Sequence, residues 1–320
     1  MSVSNCGRSG LTEHLEETIA VATRATFERH VGEAVISALK QEPLFKERLL
    51  PDIQSGAVFP AFRAEKLVDF YYGGRCLFSY ERATGHAKHV FATHVKFASV
   101  LMGVKGSYVT EAQLANARHL TSFESGYSRI KKNCKLFSGP EAAGVAQLCK
   151  RSSCVSSKDD DVVVLDIEVA LPGLRPRGKK SDRIDILLYD IPTCTLRFYE
   201  AKHFSNRELW ARGVPEVVGQ LCRYDQLLSD RGNRKAILGA YGEYVEDVNR
   251  LFGLKLPWPT TLDPQTVLLL FGFDRDQKAR IARLLLDDGS LRGRRVALRG
   301  GTKTRSFTAT SLWRSLRTPS

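Results

Sequence analysis

The sequence has no CxxC pair, no long apolar run and, over its last thirty or so residues, no acid. Seven cysteines stand singly at positions 6, 76, 134, 149, 154, 194 and 222. An odd, scattered set argues against a disulfide framework and a structural zinc site. It suits a reducing, cytoplasmic location. The longest apolar stretches, such as residues 267–273, are strand-sized. A membrane-spanning helix needs roughly 20 apolar residues, so no membrane partner is expected. Residues 1–10 lack the apolar core of a signal peptide.

What is present is an ordinary globular composition with a large excess of positive charge. The chain has 320 residues, 43% apolar and 26% charged, with a net charge of +13. That is ample length for a buried core. The charge favours a polyanionic partner. It is concentrated in residues 289–320, which hold Arg292, Arg294, Arg295, Arg299, Lys303, Arg305, Arg314 and Arg317 around Trp313. Such a tail can neutralise phosphates while the indole stacks on a base. The alternative is a solvated, frayed end.

Hydrophobic spacing predicts helices within residues 11–50. A hairpin is expected at residues 67–80, turning at Gly73-Gly74. A third strand is expected near 90–97, and helix within 110–137. From 140 onward the expected order is a helix at 140–150, strands at 162–171, 184–188 and 196–201, and a helix at 215–228. Strands at 235–241, 266–273 and 295–298 and a helix at 274–286 follow. This order predicts an α/β chain, with a mixed central sheet flanked by helices and an additional N-terminal α+β region. The boundary is expected at 139/140.

The hairpin after residue 183 carries the chemistry. Asp185 lies in the apolar run Ile184-Asp-Ile-Leu-Leu188, and Glu200-Ala-Lys202 ends the next strand. An unpaired carboxylate in such a strand is costly. Either a metal ion or a salt bridge to Lys202 or Arg183 must compensate it. Acid-x-Lys alone means little: two occur here, and roughly two are expected by chance. Asp276-Gln-Lys278 opens a helix, where an acid suits the dipole. Glu200 and Lys202 instead share one face of a strand with Leu196 and Phe198. On the following helix, Gln220 and Tyr224 are spaced i, i+4 on one face.

Asp185, then Glu200-x-Lys202, then Gln220-x-x-x-Tyr224 resembles the signature of the PD-(D/E)xK nuclease superfamily, in its QxxxY-containing subset. Ile184 stands where the pattern often has proline. The resemblance covers about residues 140–290. It implies a restriction-endonuclease-like αβββαβ core. It implies phosphodiester hydrolysis, most often in DNA, with Mg²⁺ (or Mn²⁺ as a substitute) held by Asp185, Glu200 and the Ala201 carbonyl. Lys202 would orient a water and stabilise charge on the phosphate. Gln220 would hold the water or the metal shell, and Tyr224 would contact the nucleic-acid backbone. Glu168 is a further candidate metal ligand, with a solvent-facing edge position as the bland alternative. Glu141 and Asp166 are its rivals, and Asp166 is expected on the same face as Glu168.

Arg175, Arg177, Lys179 and Lys180 precede the Asp185 strand, and with Arg292, Arg294 and Arg295 they are candidates for gripping nucleic acid. His86, His89 and His94 read as a polar turn rather than a metal site, for want of a fourth ligand. His203 should face away from Lys202. Residues 1–139 are expected to select substrate or to recruit a protein partner or a second copy. By analogy only, restriction, phage defence or mobile-element biology fits such an enzyme. The competing reading is a nucleic-acid-binding or assembly protein that keeps the fold without catalysis. The pattern leaves endonuclease against exonuclease, and DNA against RNA, open.

Overall fold

The computed structural model describes residues 27–82, 88–98, 107–116, 120–157, 159–171, 183–210, 214–283, 291 and 293–316. Within these the chain forms two sheets. The first is a five-stranded antiparallel meander of β1 (Val58–Phe62), β2 (Val68–Tyr72), β3 (Arg75–Arg82), β4 (His89–His94) and β5 (Tyr108–Thr110). Its β2–β3 turn is the expected Gly73-Gly74, with φ of 59° and 79°, a conformation open to glycine at little cost. Gly74 has a second reason to lack a side chain. A Cβ there would sit 2.2 Å from the Ala142 carbonyl oxygen. The hairpin thus presses its tip onto the helix Pro140–Ser152.

That helix begins with proline in its first turn, where no donor is lost. It buries Gly144, Val145, Leu148, Cys149 and Ser152 against the second sheet. This sheet is mixed. β6 (Val162–Val169), β7 (Ile184–Asp190) and β8 (Thr195–His203) run antiparallel in sequence order. β10 (Val267–Phe271) then pairs parallel with β8, and β11 (Val296–Arg299) parallel with β10. A short β9 (Thr261–Leu262) pairs with the start of β8. Two helices, Glu216–Ser229 and Arg231–Phe252, make the crossover from β8 to β10.

One expectation fails outright. Residues 235–241 are not a strand but the middle of the Arg231–Phe252 helix. Asp230 caps that helix by accepting from the Asn233 N–H. Ile237, Tyr241, Tyr244, Val245, Val248 and Leu251 then recur at helical spacing and are buried. The local run Ala-Ile-Leu imitates a strand only when the window stops short of the later turns. The expected strand at 90–97 ends at His94, and Val95–Ala98 is a helical turn. The region 110–137 divides into a short 3₁₀ segment and the helix Phe123–Leu136, capped by Ser122.

The boundary at 139/140 separates two sheets but not two cores. One apolar cluster includes Ile36, Phe62, Phe70, Phe78 and Ile130 from the first region and Leu165, Phe198, Tyr241 and Leu262 from the second. A buried polar hub joins them. Asp166, fully buried, accepts from Arg63 Nη1 at 2.8 Å, Tyr241 Oη at 2.9 Å and the Ile167 N–H at 2.8 Å. Arg63 also donates to the Ile167 carbonyl at 2.7 Å. Among the described residues no helix is long and apolar enough to cross a membrane. The six described cysteines are free thiols.

Candidate active site

The β7–β8 ladder ends at the pair Ile186–Tyr199. Beyond it β8 continues on its other side along β10, from Val267–Tyr199 to Phe271–His203. Where β7 leaves, the Asp185 carboxylate accepts the Ala201 N–H at 2.8 Å. Glu200 and Lys202 extend the face of Leu196 and Phe198, each opposite a leucine of β10. Lys202 Nζ lies 2.9 Å from Glu200 Oε1 and 2.6 Å from Glu208 Oε2. The second oxygen of Glu200 is buried without a hydrogen-bond partner.

The electrostatics follow from burial. Glu200 is pushed up from 4.5 to about 7, by burial first and by Glu208 and Glu141 after it, against the pull of Lys202. Burial, then the Glu200 charge, raises Asp185 well above the usual carboxylate range. Burial works against the Lys202 ammonium, yet Glu200 and Glu208 hold its proton more firmly than usual. Two carboxylates that resist ionising together, and an ammonium that does not release its proton, form a site deficient in positive charge.

Glu168 lies between the ladder pairs Ile167–Ile186 and Val169–Ile184, beside Asp185. Its φ is +53°. A bulge between Val164 and Asp166 and this left-handed residue break the alternation along β6. The expectation that Asp166 and Glu168 share surroundings is therefore corrected. Asp166 belongs to the buried hub, whereas Glu168 lines a cleft of about 380 Å³ together with Asp185, Glu141 and His203. Glu168 Oε2 is 3.6 Å from Arg183 Nη1. Glu141 accepts from the His203 N–H at 3.1 Å and Asn206 Nδ2 at 2.5 Å. His203, on the face away from Lys202, packs its ring against Phe271. Among the described residues no three His, Cys, Asp or Glu side chains converge as a ready ligand set.

Gln220 Nε2 donates to Tyr224 Oη at 2.7 Å, and that hydroxyl donates to the Arg183 carbonyl at 3.3 Å. Tyr224 is fully buried. It offers no surface to a nucleic-acid backbone, which corrects that expectation. It ties the helix to the start of β7, two residues before Asp185. Tyr224→Phe is expected to cost about 1 kcal/mol, the worth of a hydrogen bond. Urea unfolding of the variant measures it.

The arginines at the end of the chain are already engaged. Arg294 pairs with Asp225 and reaches Cys222 Sγ. Arg295 makes a two-pronged pair with Asp263, which Arg197 also engages at 2.8 Å. These charges satisfy internal acids, so Arg294 and Arg295 are corrected from phosphate contacts to structural pairs. Trp313 lies under the Arg197 guanidinium, 3.6 Å from its centre, and packs on the sheet. The helix Ala309–Arg314 is docked rather than frayed, with the Ala309 N–H donating to Ser152 Oγ at 2.9 Å. Arg175, Arg177, Lys179, Lys180, Arg292 and His86 lie outside the described residues. His89 contacts the Lys66 carbonyl and stacks on Tyr80.

Glu208 was missed from the sequence. The only signal was its position six residues after Lys202, on a turn that Asn206 caps. No family model matches the chain, and neither a curated protein nor a solved structure is a significant match to it.

Proposed function

We propose that this chain is a metal-dependent nuclease of the PD-(D/E)xK type that hydrolyses phosphodiester bonds in DNA. The observation that carries the reading is the half-buried Asp185 and the buried Glu200 beside Lys202 at the parting of β7 and β8, with one Glu200 oxygen unpartnered. The order helix, three antiparallel strands, helices, parallel strand supports it.

The donor set suits a hard cation. Asp185 and Glu200, with Glu168 at the cleft, would hold Mg²⁺, or Mn²⁺ in its place. The bound ion supplies Lewis acidity and a water of lowered pKa. The rest falls to the protein. Glu208 and Glu200 keep Lys202 protonated, ready to neutralise charge developing on a phosphate. Glu141 fixes the backbone at His203 and the Asn206 side chain, and so the turn that carries Glu208.

A second reading, binding without cleavage, also has observations on its side. Lys202 is clasped by two carboxylates, and no three described ligands converge. Incubation of plasmid and of single-stranded DNA with Mg²⁺, Mn²⁺ or EDTA separates the two. Cleavage is expected with either metal and none with EDTA. Asp185→Ala and Lys202→Ala should each lower the rate by roughly 10²–10³-fold or more. Metal-dependent cleavage retained by both variants, or cleavage that EDTA leaves intact, would overturn the nuclease reading.

A further inference from the structure

A second cleft, of about 360 Å³, opens on the first sheet and shares Gly74, Arg75 and Glu168 with the acidic one. Its walls differ in character. Tyr108 and Phe137 line it and are 47% and 43% exposed, two of only five large apolar side chains so exposed among the described residues. Two cations, Arg75 and Lys96, stand around them, and a third, Arg183, is paired with Glu168. The Lys96 ammonium lies over the Phe137 ring at 5.6 Å, and Arg75 Nε holds the Phe137 carbonyl at 2.7 Å. The His94 ring meets Tyr108 edge-on at 5.4 Å. The one acid of this cleft, Glu168, is neutralised by Arg183.

Exposed rings held in place by neighbouring side chains, interleaved with cations, are the surface that binds single-stranded nucleic acid. Bases stack on the rings, and the backbone follows the charge. A duplex presents no unstacked base to such rings. The shared wall fixes where the strand leads. A chain lying across Tyr108 and Phe137 passes the Gly74 turn and enters the cleft of Asp185.

We propose that this aromatic, cationic cleft binds an unpaired segment of a DNA strand and delivers the adjoining phosphate to the acidic cleft. The substrate class is thus DNA with a single-stranded end or flap. The choice of DNA rests on the nuclease reading above, but binding is measurable without cleavage.

The test is fluorescence anisotropy of the full chain with a labelled oligothymidylate of ~12 nucleotides in EDTA, within the usual span of such sites. A blunt duplex and an oligouridylate serve as the other arms. Tight binding of the deoxy strand is expected. Tyr108→Ala and Phe137→Ala should each weaken it roughly 5- to 100-fold, the loss of one stacked base. Tyr108→Trp should retain it. Lys96→Gln should flatten the dependence of log affinity on log salt by about 0.7. Tyr108 and Phe137 are exposed, so unchanged thermal unfolding should verify that both alanine variants keep the fold. Parent-like affinity in both alanine variants would overturn the proposal. So would equal affinity for the duplex, or for the oligouridylate. Binding by a parent chain that shows no metal-dependent cleavage would remove the nuclease reading and leave the strand-binding cleft standing.

Discussion

Under the proposed nuclease mechanism Glu200→Gln is expected to abolish cleavage and, at pH 8, to unfold at a higher temperature than the parent. Both outcomes follow from one buried carboxylate. Its folded-state pKa is about 7, against 4.5 ordinarily. Between these values the folded protein holds a proton that the unfolded chain releases. Stability therefore falls as pH rises through this window, and the full penalty is present above pH ~7. A shift of this size corresponds to on the order of 3 kcal/mol. The amide carries no charge and avoids the penalty, while Lys202 keeps Glu208 as partner. The two proteins should converge near pH 4.5, where the parent is protonated in the folded state. Thermal melts across pH 4.5–8.5 measure this. A variant less stable than the parent at pH 8 would show that Glu200 supports the fold rather than straining it. If Glu200 holds the proposed metal, millimolar Mg²⁺ should raise the melting temperature of the parent alone, since a ligand stabilises only the state that binds it.

Asp166→Ala is expected to have the largest effect on stability, a loss of about 3–5 kcal/mol in urea unfolding. Asp166 is the counter-charge of Arg63 at 2.8 Å, with the Arg29 guanidinium at 3.8 Å and the Tyr241 hydroxyl at 2.9 Å. Removing it leaves Arg63 facing a cavity with Asp69, at 3.3 Å from its Nε, as the remaining counter-charge, and takes away the nearest acid of Arg29. Total stabilities are commonly 5–15 kcal/mol, so the variant would lie at the edge of folding. Asp166→Asn keeps an acceptor and should lose less. A loss under about 1 kcal/mol for the alanine variant would mean that water enters and solvates the arginine.

Local pattern made part of this legible. The Gly73-Gly74 turn marked the β2–β3 hairpin because its backbone excludes most residues. Apolar runs marked β6, β7 and β8, and period marked the Glu216–Ser229 helix. The juxtaposition of Asp185 with Glu200 and Lys202 was readable because adjacent strands of a hairpin must meet. What stayed hidden depends on partners far along the chain. Asp166 and Glu168 differ in fate because of Arg63, 103 residues before Asp166, and a bulge without a sequence signature. Arg294 and Arg295 looked free because Asp225 and Asp263 lie in other elements. Trp313 looked like a nucleic-acid contact because an aromatic among cations reads the same whether exposed or packed, and Tyr224 because the QxxxY resemblance assigned it that role.

The Arg231–Phe252 helix also sets a schedule for the chain. Asp247, fully buried within it, accepts the Val31 N–H at 2.7 Å and the Gly32 N–H at 3.3 Å. The two ends of that contact are 216 residues apart. During synthesis at about 5–20 residues per second, the segment around Val31 waits roughly 10–40 s for its partner to emerge. Through that interval the first sheet lacks the helix that carries Tyr241, Tyr244 and Val248, and its apolar face stays open to water or to a chaperone.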